Sequence, residues 1–126
     1  MADKGSVTLT EEIFGTVKKI TFDWTAGTGA DAGLATKTTE NFFSGEIIRL
    51  VTVPAAAPDA PDDNYDVVIN DEDGTDTLMG AGANRDTANT EQVLASSLGC
   101  VANDKLSLSI TNAGDTKKGT VYLYLR

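Results

Sequence analysis

Along most of this chain apolar and polar residues alternate one for one, the period of a strand with a single buried face. In residues 16–25, Ile20, Phe22 and Trp24 share one face and Lys19, Thr21 and Asp23 the other, which predicts a strand lying over the core with Trp24 inward. Residues 105–111 repeat the pattern, with Leu106, Leu108 and Ile110 set against Lys105, Ser107 and Ser109. In residues 119–126, Val121, Leu123 and Leu125 oppose Tyr122 and Tyr124, so the two tyrosines fall on the outward face. Val7, Leu9 and Ile13 mark a first strand with an irregular end, and residues 34–43 a Thr-rich strand closed by Phe42 and Phe43. The longest strongly β segment is residues 45–53, GEIIRLVTV, with Ile48 and Leu50 on one face and Ile47, Val51 and Val53 on the other. Two apolar faces imply a strand covered on both sides, and Arg49, which interrupts the second face, is then expected near an edge or a subunit contact.

The stretch NYDVVINDEDGTDTL, residues 64–78, carries Tyr65, Val67 and Ile69 in alternation and then an Asp-Gly turn signal before Leu78. It predicts a β-hairpin whose tip is crowded with carboxylates. Pro54, Pro58 and Pro61 break sheet pairing just before it and predict an extended surface crossover. The small, glycine-rich residues 26–33 read as a flexible loop and a candidate contact. Residues 87–98 fit either a short helix capped by Asp86 or a strand, and the surrounding β pattern favours the strand. With turns about every 8 to 12 residues, the whole reads as one domain, residues 1–126: an all-β sandwich or jelly-roll-like barrel of about eight short strands. The polar start suggests that residues 1–10 form an N-terminal arm, with Val7, Thr8 and Leu9 as its contact residues.

Charge narrows the functional classes. Nineteen acidic against ten basic residues give a net charge of −9, which disfavours nucleic acid and anionic membrane as partners. Between Arg49 and Arg85 there are acids but no Lys or Arg, so one region is strongly negative. Arg85, the base closest to it, either pairs locally or anchors a partner subunit. Without histidine, imidazole-based triads and metal sites are excluded. The single cysteine, Cys100, forms no intrachain disulfide and reads as a small buried apolar residue. Asp71, Asp73, Gly74 and Asp76 suggest a calcium loop, but the EF-hand frame would put Ile69 and Gly80 at ligand positions, and a solvated turn fits better. Residues 79–86 are glycine-rich but lack the Gly-Lys-Ser/Thr ending of a phosphate loop. No cofactor, metal or catalytic residue is assigned, and a non-enzymatic role is expected. No apolar run approaches the roughly 20 residues of a membrane span, and the first residues lack the apolar core of a secretion signal.

Four segments carry a resemblance: ITFDWTAGTG (20–29), SGEIIRLVT (44–52), DNYDVVINDEDGTDTLMGAGANRDTANTEQV (63–93) and SLSITNAGDTKKGTVYLYLR (107–126). Together they resemble a family of small virion structural proteins of tailed bacteriophages, over most of the chain. The resemblance implies a capsid decoration or cement protein, made in the bacterial host cytoplasm and carried on the capsid exterior. Its implied partners are the major capsid protein and further copies of itself, as a dimer or trimer. The interface candidates are Val7, Thr8, Leu9, Arg49, Arg85, Tyr122 and Tyr124. Two alternatives stand beside it: a head–tail or tail component, and a glycan-binding module displayed on the virion, for which Tyr122 and Tyr124 are the better-exposed aromatic residues.

Overall fold

A computed structural model describes residues 4–126. Nine strands follow in order: β1 (Ser6–Phe14), β2 (Val17–Thr25), β3 (Ala35–Thr38), β4 (Phe43–Pro54), β5 (Asp66–Asn70), β6 (Glu91–Leu94), β7 (Cys100–Asp104), β8 (Ser107–Thr111) and β9 (Lys118–Leu125). They form two curled antiparallel sheets, as the alternation predicts. The larger runs β1-β2-β9-β4-β6, with β7 beside the first part of β4; the smaller runs β3-β8-β5. The inward residues of the large sheet, Ile20, Phe22, Trp24, Leu50, Val121, Leu123 and Leu125, meet Tyr65, Val67, Ile69, Leu106, Leu108 and Ile110 in one core. Burying such side chains stabilises the fold by about 1.5–3 kcal/mol each.

Several local expectations change. Residues 6–10 are not an arm: Ser6 pairs with Thr25 and each residue through Thr10 with its partner on β2. Val7 and Leu9 pack against the core and Thr8 faces solvent, because the alternation that marks this strand also gives it an inner face. Arg49 does not lie at an edge. It stands on β4 between β9 and β6. A bulge between Ile47 and Arg49 turns both Ile47 and Leu50 into the core and leaves Arg49, Val51 and Val53 on the outer face, where Val51 is still buried among its neighbours, so counting through the extra residue puts Ile47 on the wrong face.

The glycine-rich loop is packed, not loose. A Cβ on Gly33, which sits at φ +75°, would come within 2.8 Å of the Gly114 backbone nitrogen, so only glycine fits there. Of the Thr-rich segment, residues 35–38 form β3 and Phe43 opens β4, and Phe42 is exposed while Phe43 is buried. Cys100 is exposed. Its neighbour Val101 takes the inward position on β7, and alternation then puts Cys100 outside. Residues 91–94 are strand, followed by a single 3-10 turn at Ala95–Ser97.

Candidate functional site

The hairpin expected at residues 64–78 is present only as its first arm. β5 leads into a turn at Asp71–Thr75, and the chain then returns along β5 without forming a strand. Thr77 N–H donates to the Ile69 carbonyl (2.8 Å), Val67 N–H to the Gly82 carbonyl (2.8 Å) and Arg85 N–H to the Tyr65 carbonyl (2.7 Å). This irregular return covers the edge of the small sheet, but it leaves N–H groups without ladder partners, each of which must find an acceptor.

Carboxylates meet that need. Asp76 Oδ1 accepts from Ile69 and Leu78 N–H and Oδ2 from Gly80 N–H. Asp71 Oδ1 accepts from Asp73 and Thr75 N–H at 3.0 Å each. Asp66 accepts from Asn84 N–H and the Asn112 side chain, and Asp63 from Thr87 N–H. Asp86 accepts from Ala88 and Asn89 N–H, and these bonds hold its carboxyl below the usual range. Much of the acidic run is therefore the hydrogen-bonding frame of the segment itself. Asp76 in particular faces inward to the backbone and is not part of an open tip.

At the turn the structure adds a residue that sequence spacing does not flag. Asp104, at the end of β7, brings its carboxylate to Asp71 and Asp73, with one oxygen of each within 4.8 Å of the others. Partial withdrawal from solvent, then the charges of Glu72, Asp71 and Asp73, push the Asp104 carboxyl up. Three carboxylates suit a hard cation but fall short of the six to eight oxygens that calcium takes. Arg85 pairs locally: its guanidinium lies 3.8 Å from Glu91 and donates to the Ala83 carbonyl.

A different surface gathers the remaining candidates. The outer face of the large sheet carries Glu12, Lys19, Tyr124, Arg49 and Leu94 in one cross-strand row. The next row is Thr10, Thr21, Tyr122, Val51 and Gln92. Lys19 Nζ sits 4.8 Å from the Tyr122 ring centre and 5.8 Å from that of Tyr124. Arg49 stands over Tyr124 from the opposite neighbouring strand and donates through Nε to Gln92 (2.9 Å). Leu94, 67 % exposed, ends the row. Of the expected interface residues, the structure brings together Arg49, Tyr122 and Tyr124. Thr8 shares the face further along, Val7 and Leu9 turn inward, and Arg85 belongs to the acidic segment. Lys19 and Leu94 complete the patch, legible only once β2, β4 and β6 are placed around β9.

The patch is aromatic and cationic on a chain of net charge −9. Tyr and Arg are the residue types enriched in protein interfaces. Stacking a sugar flat on Tyr124 would require displacing Lys19 or Arg49. No protein family, curated protein or solved structure matches this chain.

Proposed function

We propose that the chain is a non-enzymatic structural protein of a tailed-bacteriophage virion, a decoration protein that binds the outside of the capsid and stabilises it. Two things support this reading: the resemblance carried by residues 20–126, and the outer face of the large sheet. The second carries the argument. Lys19, Arg49, Tyr122, Tyr124 and Leu94 stand on a paired, multi-strand platform, the first four half-buried and Leu94 exposed. A capsid contact needs side chains held by a rigid scaffold, and aromatic rings with flanking cations supply area at low entropic cost.

The charge layout gives the contact a direction. The cationic face turns toward an acidic surface of the capsid, and the Asp-rich segment turns away to solvent. Each copy adds a modest affinity, and many equivalent sites multiply the effect on the shell.

Cosedimentation of the purified protein with capsids lacking it tests the reading. Saturable binding at many copies per particle, with a raised capsid melting temperature, is the expected result. No binding, or a handful of copies per particle, overturns it in favour of a head–tail or tail component.

A further inference from the structure

We infer that the tip of the turn after β5 is a self-modification site, where Asp73 closes on the Gly74 nitrogen and reopens as isoaspartate. The bond that forms joins the Gly74 nitrogen to the Asp73 carboxyl carbon. The bond that breaks runs from that carbon to its hydroxyl oxygen, and the hydroxyl leaves with the nitrogen's proton as water. Water then opens the cyclic imide at either carbonyl. Attack at the main-chain carbonyl sends the backbone through the Asp side chain, one methylene longer, with mass and net charge unchanged.

Sequence and structure single out this position. Asp73-Gly74 is the one place in the chain where Asp or Asn precedes Gly. With no Cβ, glycine leaves its nitrogen open to the side chain before it. Apart from the chain neighbours, nothing lies within 4 Å of where a Cβ on Gly74 would stand. The Asp73 carboxylate is also free to turn. It accepts no hydrogen bond among the described residues, whereas two or more backbone N–H groups hold each of the carboxylates of Asp71, Asp76 and Asp86.

The tip can release the nitrogen. In the folded turn Gly74 N–H donates to the Asp71 carbonyl (3.1 Å) and Asp73 N–H to Asp71 Oδ1 (3.0 Å). Residues 72–75 are all exposed, so water replaces these bonds as they open, and the core is not disturbed. Conversion then changes the turn. The extra backbone atom falls inside the loop closed by Asp71 N–H on the Thr75 carbonyl (3.0 Å) and by Thr75 N–H on Asp71 Oδ1 (3.0 Å). It also moves the Asp73 carboxylate to the old Cα, away from its place beside Asp71 and Asp104. The start of the return along β5 is loosened.

Incubating the full chain at neutral pH in heavy-oxygen water tests this, because each ring opening takes up one labelled oxygen. Trypsin releases residues 50–85 as one peptide, and electron-transfer fragmentation locates the label and the isoaspartate within it. A parallel sample unfolded in urea sets the time course. Asp73 in the folded chain should convert at no less than about a tenth of the unfolded chain's rate, since a turn tip opens at little cost. Asp73→Glu keeps the charge but would need a larger ring, and it should take up no label at this position. Converted wild type should melt below fresh protein, and Asp73→Glu incubated for the same time should not. An unlabelled Asp73 in the folded chain, once the unfolded chain has converted, overturns the proposal. So does labelling of the other acids in residues 50–85 to the same extent.

Discussion

Arg49 holds its guanidinium 5.2 Å from the centre of the Tyr124 ring, and the two residues are cross-strand partners on β4 and β9. With Lys19 on the other side of the same strand, the ring is flanked by positive charge from two directions. Each pair is worth about 0.5–1 kcal/mol at a partly exposed site, too little to explain three long side chains being ordered together. The arrangement makes more sense as a prepared surface than as a source of stability.

Arg49→Ala and Tyr124→Ala should therefore lower Tm only slightly but reduce capsid binding by about tenfold each, a loss above 1 kcal/mol. Titrating each variant against capsids in the cosedimentation assay measures this. Binding equal to wild type in both variants would remove the outer face from the contact.

The turn at Asp104 should respond to charge removal. Its raised carboxyl pKa means that the folded state holds this proton more tightly than the unfolded chain does. The group's contribution therefore becomes more favourable as pH falls through the carboxylate range and unfavourable above it. Asp104→Asn should raise Tm at neutral pH, and the gain should shrink at acid pH and in high salt. Differential scanning calorimetry across pH checks both halves of the statement.

Tyr65 sits at the centre of the core against Trp24, with ring centres 5.5 Å apart. Its hydroxyl, the Thr52 hydroxyl and Trp24 Nε1 are buried without a hydrogen-bond partner among the described residues. Burial pushes the phenol up to about 12 from 10.0. Between those two pH values the unfolded chain loses this proton and the folded one keeps it. Stability then falls with rising pH, by about 2–3 kcal/mol in all. Tyr65→Phe should abolish that part of the alkaline loss and cost little at neutral pH, since it removes an unsatisfied group. Urea unfolding of both proteins at neutral and strongly alkaline pH gives the comparison.

Gly119 is a position where a single methyl group runs into the core. A Cβ there would lie 2.6 Å from Cζ2 and 2.8 Å from Cε2 of Trp24. Gly119→Ala should destabilise the protein by about 1–3 kcal/mol through overpacking. Thermal melts measure it, and a smaller companion substitution such as Trp24→Phe should relieve part of the strain.

The core was readable from the chain because period-two alternation assigns faces directly. Ile20, Phe22 and Trp24, and the triplets on β8 and β9, all lie where the pattern puts them. The misreadings have local causes. Around Arg49 one bulged residue shifts the count, and no composition signal announces a bulge. For Cys100, the apolar character of the side chain points inward, while its place next to the buried Val101 puts it outside. The acidic stretch reads as surface charge in the sequence because the unpaired N–H groups that its carboxylates bond exist only after the chain has turned back along β5. The outer patch was half visible, in Tyr122, Tyr124 and Arg49. Lys19 and Leu94 join it through strand neighbours that are distant in sequence, and Asp104 reaches Asp71 in the same way.

β9 lies between β2 and β4, and a hydrogen bond such as that from Thr120 Oγ1 to Asp23 Oδ1 spans 97 positions of sequence. During synthesis the β1–β2 hairpin and β4 must therefore wait, with the edges that face β9 unpaired, until β9 has left the ribosome. Closing a loop of that length before any large-sheet reward arrives makes folding slow for a chain of this size. Until then the strand edges of β2 and β4 are open to one another's counterparts on neighbouring nascent chains. The strong self-repulsion of an acidic chain acts at that stage as well, keeping unfinished copies apart.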